Sequence, residues 1–213
     1  MATDLDVELV VVRHGITAWN QERRYQGQRD IPLLMPDAVP GLDTLKAALA
    51  EEAFNAIYAS DLTRCRQTLE WVKPAGTTPV FEEPRLRELD FGEYEGRVYD
   101  ELKEDPGYRA WIDSVGELKI PGGESAGDLR HRLSAWLDEV AENARTQGHR
   151  RVLAVTHGGV IRELRRRFET IPFWEATVEQ ATGRRLTLTF SAKEGEWQCS
   201  FSSAVPARVN ATP

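Results

Sequence analysis

The chain of 213 residues is short of sulfur, of long apolar runs and of positive charge. Its two cysteines, Cys65 and Cys199, fall on a predicted helix and a predicted strand; a disulfide is allowed but not required, and reduced thiols are expected. No apolar stretch approaches the roughly 20 residues that a membrane-spanning helix needs. The opening Met-Ala-Thr-Asp-Leu-Asp lacks the basic start and apolar core of a secretory signal, so a cytoplasmic location without a membrane partner is expected. The 27 Lys and Arg are outnumbered by 34 Asp and Glu, for a formal charge of -7. Duplex binding rests on cations that neutralise backbone phosphates, so nucleic acid is not an expected partner. Arginines that meet an anion must be placed locally. With no internal repeat or low-complexity tract, the length suits a single well-buried domain over residues 1–213.

What is present is organised around Leu9-Val10-Val11-Val12-Arg13-His14-Gly15-Ile16-Thr17-Ala18-Trp19-Asn20. A largely β-branched run ends in Arg-His-Gly before a helix-compatible segment, which reads as a buried strand delivering a basic pair to a strand-to-helix turn. A histidine beside an arginine and before a helix N-terminus suits an anion, phosphate above all. Val152-Leu153-Ala154-Val155-Thr156-His157-Gly158-Gly159-Val160-Ile161 repeats the design.

The Arg13-His14-Gly15 start, the stretch from Ser60 to Thr68 with Arg64 inside it, Glu88 within Leu86 to Gly96, and Thr156-His157-Gly158-Gly159 together resemble the histidine phosphatase superfamily, also called phosphoglycerate mutase-like. The four motifs stand in that family's order. An unprotonated imidazole attacks phosphorus directly; His14 is assigned that role, which the resemblance also implies. Arg13 and Arg64 supply permanently charged, planar donors for phosphate oxygens. Asn20, matching the family's Trp-Asn, adds an amide, Thr17 a hydroxyl, and Gly158 completes the expected phosphate-binding set. His157 is read as a donor to the transferring group, and Glu88 as general acid and then base. Neither cofactor nor metal is expected. A two-histidine metal site with Glu88 or Asp90 is the rival, disfavoured because guanidinium groups repel a cation.

Leu42, Leu45, Leu49 and Ala53 predict a helix from about Leu42 to Ala53, followed by a strand Ala56 to Ala59 and a helix capped by Ser60 or Asp61. Pro79 to Glu82 reads as an edge strand. From about 92 to 124 the sequence becomes an excursion of short helices over the site, a lid in character. A helix then starts at Ser125, the second histidine strand follows, and Leu186 to Phe190 with Trp197 to Phe201 close an antiparallel hairpin; the tail from Ala204 is read as loose. Strands alternating with helices imply an α/β fold, a three-layer α/β/α sandwich with a mainly parallel central sheet and its site at the C-terminal strand ends. The hairpin edge leaves a homodimer open.

Bland roles are assigned elsewhere. Arg162, Arg165, Arg166 and Arg167 share a helix with Glu163 and Glu169 and read as a solvated face; His131 and His149 read as exposed and idle. Tyr94, Tyr99, Tyr108 and Trp111 form a small satellite core or contact substrate. The expected function is a metal-independent phosphomonoesterase acting on small phosphate esters. A cofactor-dependent mutase is the runner-up, and a non-catalytic phosphate- or partner-binding module the third reading. Phosphoglycerate mutases of the family carry Arg-His-Tyr-Gly after the general acid, whereas Glu93 to Asp100 is acidic here, which favours the phosphatase branch, including alpha-ribazole phosphatase-like members.

Overall fold

β1 runs from Leu5 to Arg13, and successive side chains leave it on opposite faces. Val7, Leu9 and Val11 enter one apolar cluster, while Val10 and Val12 enter another. A strand buried on both faces has no polar alternation, which is why the sequence reads as a continuous apolar run. The computed structural model describes residues 4–74, 76–172 and 175–207. Among them one sheet of six strands forms, in the order β3-β2-β4-β1-β5-β6. The others are Ala56–Ala59 (β2), Val80–Glu82 (β3), Arg151–Thr156 (β4), Gly183–Ser191 (β5) and Glu196–Val205 (β6). β1 to β4 are mutually parallel where they pair, and β5 joins β1 antiparallel and carries β6 outward.

Helices Val39–Leu49 (α2) and Thr63–Val72 (α3) cover the face of Val10 and Val12 through Leu42, Leu45, Leu49, Cys65 and Val72. On the other face lie Ala126–Thr146 (α6) and Gly158–Glu169 (α7), which contribute Leu129, Leu133, Trp136, Leu137, Val160 and Leu164. This is the expected three-layer α/β/α sandwich. A one-turn helix, Ala18–Gln21 (α1), follows β1.

Several boundaries move. α2 starts at Val39, because Pro40 is tolerated in a first turn whose N–H groups need no partner, and it ends at Leu49, short of Ala53. β6 continues to Val205, so Ala204 and Val205 pair with Arg184 and Gly183 instead of starting a loose tail; residues 208–213 of that tail lie outside the described residues. α3 has Leu62 as its N-cap without a side-chain bond. Its first-turn Thr63 N–H donates instead to Asp30 Oδ1 of the preceding loop, at 2.7 Å. Ser60 and Asp61, the expected caps, are engaged by His157 and Arg87.

The excursion consists of a 3-10 turn at Gly92–Tyr94 and helices Tyr99–Leu102 (α4) and Pro106–Asp113 (α5). Its two ends are tied together: Glu93 N–H donates to the Pro121 carbonyl at 3.0 Å and Glu124 N–H to the Asp90 carbonyl at 2.9 Å. The approach is so close that a Cβ on Gly92 would lie 2.2 Å from the Pro121 oxygen, and Gly92 itself has φ +46°. Tyr94, Tyr108 and Trp111 are buried in the core under this segment, while Tyr99 is 51% exposed. Three of the four aromatics thus join the main core cluster and do not form a separate one.

Among the described residues no helix is long and apolar enough to cross a membrane. Because Leu45 is fully buried between α2 and the sheet, Leu45→Ala should cost about 2–5 kcal/mol, read as a lower urea midpoint at unchanged slope.

Candidate active site

Parallel pairing of β1 with β4 sets Arg13 opposite Thr156, and the His14 N–H donates to the Thr156 carbonyl at 3.0 Å. The residues that follow the two strands therefore emerge side by side, and the imidazoles of His14 and His157 meet edge to face with centroids 5.2 Å apart. Both are buried. His14 Nδ1 lies 2.7 Å from the Gly15 carbonyl. A carbonyl only accepts, so Nδ1 carries the proton and Nε2 presents a lone pair. Gly15 is in turn held by its N–H to Thr68 Oγ1 of α3 at 3.0 Å.

Arg64, in the first turn of α3, is wholly buried and points its Nε at both rings, 3.3 Å from His14 Nε2 and 3.3 Å from His157 Nδ1. Nη1 and Nη2 donate to the carbonyls of Arg29 and Gly27 at 3.0 and 2.7 Å. A shared guanidinium donor requires lone pairs on both imidazole nitrogens. His157 Nε2 sits 2.8 Å from Ser60 Oγ. Since a hydroxyl both donates and accepts, Ser60 allows His157 to move its proton to Nδ1, the tautomer its expected donor role requires. Arg64 lies between the two facing nitrogens, and among the described residues no group of three or more His, Cys, Asp or Glu is placed to hold a metal ion.

Glu88 is 7% exposed, and its carboxylate accepts from the Gly159 N–H at 2.9 Å and from the Leu89 N–H at 2.9 Å. Gly159 must lack a side chain: a Cβ there would lie 2.2 Å from Glu88 Oε1. The segment bearing Glu88 is held by Arg132 of α6, whose Nη1 donates to the Arg85 and Arg87 carbonyls at 2.6 and 2.7 Å and whose Nη2 donates to the Glu88 carbonyl at 2.9 Å. Arg132 also pairs with Glu124, which receives the Asp90 N–H. Arg132 carries no motif, so nothing in the sequence assigns it to the site.

A cavity of about 210 Å3 opens here, lined among others by Arg13, Asn20, Gln26, Glu88, Gly158 and Arg162. Arg13 Nη1 donates to the Val178 carbonyl at 2.8 Å, and its buried Nε has no hydrogen-bond partner among the described residues; Gly158 packs against this guanidinium. Asn20 uses Oδ1 to accept the Thr17 N–H at 3.1 Å, which turns its amide nitrogen to other partners. Thr17 is corrected. It is fully buried, caps α1, and donates from its hydroxyl to Gln26 Oε1 at 2.6 Å, so it orders the turn and does not line the cavity.

Arg162 is corrected in the other direction. Arg165 pairs with Glu169 and Arg166 with Glu163, as a salt-bridged face should, but Arg162 lines the cavity. It lies three residues beyond Gly159, and helical side chains lean toward the N-terminus, so this position looks back over the start of α7. That spacing was the available signal. Gln26, whose buried Nε2 has no hydrogen-bond partner among the described residues, offers none. His131 is exposed as expected, while His149 is half-buried in its turn.

Burial pulls the pKa of both histidines well below the ordinary 6.5, and the Arg64 guanidinium facing each ring adds to it, with Arg13 further lowering both. The rings are neutral at neutral pH. Desolvation also lowers the guanidinium pKa of Arg13, Arg64 and Arg162 from its ordinary value, partly offset by Glu88. Cys65 Sγ lies 3.4 Å from His157 Nε2, but burial pushes its thiol up to about 12, so it is no thiolate nucleophile.

A sheet that ends two parallel strands in histidines on either side of one arginine, with a glutamate held across from them, defines an architecture of the histidine phosphatase type. The chain belongs to the histidine phosphatase superfamily (branch 1), whose profile matches residues 9–201. It is 34% identical over 166 residues to phosphoglycerate mutase-like protein 4 of Arabidopsis thaliana, covering 76% of this chain and 71% of that protein. Over 161 residues it is 35% identical to a metal-independent phosphoserine phosphatase of the same plant, covering 74% of this chain and 66% of that protein. The crystal structure of the alpha-ribazole phosphatase from Shigella flexneri superposes with a TM-score of 0.73 at 27% identity, over 84% of this chain and 90% of that one.

Neutral burial of two imidazoles has a cost that pH exposes. Below about 6.5 the unfolded chain binds protons at both histidines and the folded chain does not, so the stabilisation present above 6.5 is lost as pH falls toward the depressed folded values. The loss is up to about 1.4 kcal/mol per pH unit for each ring. Urea midpoints at several pH values should fall less steeply for His157→Asn than for the unaltered chain; equal slopes would exclude the linkage.

Proposed function

We propose that this protein hydrolyses phosphate monoesters of small molecules through a phosphohistidine, without a metal ion. The observation that carries the reading is His14 Nε2: neutral, with its lone pair set there by the Nδ1 bond to Gly15 and facing Arg64. In the first step this lone pair forms a P–N bond as the P–O bond to the leaving group breaks, and Glu88 gives its proton to the departing oxygen. In the second, Glu88 takes a proton from water, whose oxygen attacks phosphorus and breaks the P–N bond, releasing phosphate and returning His14 to its neutral form. Arg13, Arg64 and Arg162 balance charge on the equatorial oxygens, and His157 donates to them once Arg64 has turned to the phosphoryl group and the imidazole proton has moved from Nε2 to Nδ1.

The match to a metal-independent phosphoserine phosphatase supports hydrolysis; the match to a phosphoglycerate mutase-like protein keeps phosphoryl transfer as the alternative. Against the latter, the stretch from Glu93 to Asp100 is acidic, and its Glu95 carboxylate accepts from the Gln28 and Arg29 N–H groups at 2.6 and 3.0 Å.

Phosphate release from a panel of monoesters should persist in excess EDTA and disappear in His14→Ala. Exchange that appears only with a bisphosphorylated primer would move the assignment to a mutase, and silence throughout to a binding module. Glu88→Gln should lower kcat/KM roughly 10²- to 10⁴-fold for alkyl phosphates and much less for p-nitrophenyl phosphate, whose leaving group needs no proton. An equal loss on both ester types would remove Glu88 as the acid.

A further inference from the structure

In-line displacement sets the leaving oxygen opposite His14 Nε2, on the side where Glu88 protonates it. The carbon group on that oxygen must extend the same way. There the cavity lined by Glu88, Arg13 and Gly158 adjoins a second cavity of about 200 Å3, and the two share Tyr25, Phe91, Gly159 and Arg162. Past these residues the walls are apolar, with Leu89, Trp111, Ile112 and Leu129. Tyr25 and Phe91 each stand nearly edge to face with Trp111, about 6 Å from it, and are tilted by 50° to one another at 5.1 Å, so the three rings brace one another and hold the space open.

Of the polar groups that line this cavity, the Tyr25 hydroxyl and the Glu163 carboxylate are engaged, while the buried Trp111 indole N–H finds no hydrogen-bond partner among the described residues. The Tyr25 and Tyr108 hydroxyls share a hydrogen bond of 2.6 Å, and burial raises the Tyr25 pKa, keeping the phenol neutral. Glu163 lies buried at the far side with its carboxylate 3.0 Å from Arg166 Nη1 and 3.6 Å from Arg130 Nη1. A carboxylate or second phosphate carried into this depth would lose its water against aliphatic side chains and face another carboxylate. A cavity of roughly 150 Å3 lined by aliphatic and aromatic groups is enough to hold benzene.

We infer that this cavity is the leaving-group subsite and that it selects monoesters whose alcohol carries an uncharged, ring-sized apolar group, in preference to phosphorylated hydroxy acids or amino acids. The inference rests on the phosphomonoesterase reading, and its test separates the two. Aryl phosphates have intrinsically better leaving groups, so the comparison uses alcohols of similar basicity: benzyl and 2-phenylethyl phosphate against propyl phosphate, 3-phosphoglycerate and phosphoserine.

Burying one ring predicts a kcat/KM roughly ten- to hundredfold higher for the ring-bearing esters. Benzylphosphonate, which cannot be hydrolysed, should bind at least about tenfold more tightly than ethylphosphonate by calorimetry. Ala126 also lines the cavity, and Ala126→Leu should shrink both ratios toward one. Turnover of all esters with no ring preference, or a preference for 3-phosphoglycerate or phosphoserine, would overturn the subsite while leaving the phosphatase intact. Selective phosphonate binding without turnover of any ester would support the subsite and defeat the phosphatase reading. Equal phosphonate affinities overturn the subsite even if Ala126→Leu fails to fold.

Discussion

A guanidinium that never gives up its charge is buried completely at the centre of this molecule, and most of the site follows from how Arg64 is satisfied. A buried cation without partners would cost several kcal/mol. Here two loop carbonyls, Gly27 and Arg29, and the lone pairs of two imidazoles accept from it. The loop after α1 must therefore close over α3, which Asp30 secures by binding Thr63. Both rings must also be neutral, because an imidazolium beside Arg64 would lose its acceptor and add a like charge. The same contact that satisfies the arginine thus keeps His14 Nε2 a base.

The carboxylate across the site is governed by different elements. Glu88 sits on an irregular segment, and irregular backbone needs outside partners for its carbonyls. Arg132 supplies three of those partners from α6, while Glu124 ties the same arginine to the closing end of the excursion. The excursion is consequently anchored where the acid is anchored. Its aromatic floor then forms a wall continuous with the catalytic pocket, so the element that holds Glu88 also shapes what lies beyond it.

Much of this is legible along the chain. The β-branched runs before His14 and His157 read as strands because burial on both faces removes alternation, and the helical stripes of α2, α6 and α7 read from their apolar spacing. Thr17 and Asn20 were legible as a helix start, yet the same residues fit a phosphate contact equally well; only the bond to Gln26 assigns the Thr17 hydroxyl. The caps of α3 misled for a similar reason. Ser60 and Asp61 are good cap residues in isolation, but long-range partners, His157 and Arg87, compete for their oxygens.

Local order therefore yields the strands, the helices, the three layers and the set of residue types that handle phosphate, since periodicity and turn chemistry act between neighbours in sequence. The proton positions on the two imidazoles, the return of Arg162 to the pocket, the Arg132 clamp and the apolar cavity beside Glu88 do not. Each depends on groups tens of residues apart coming within hydrogen-bond or van der Waals distance, and that proximity exists only once β1 and β4 pair and the excursion closes across them.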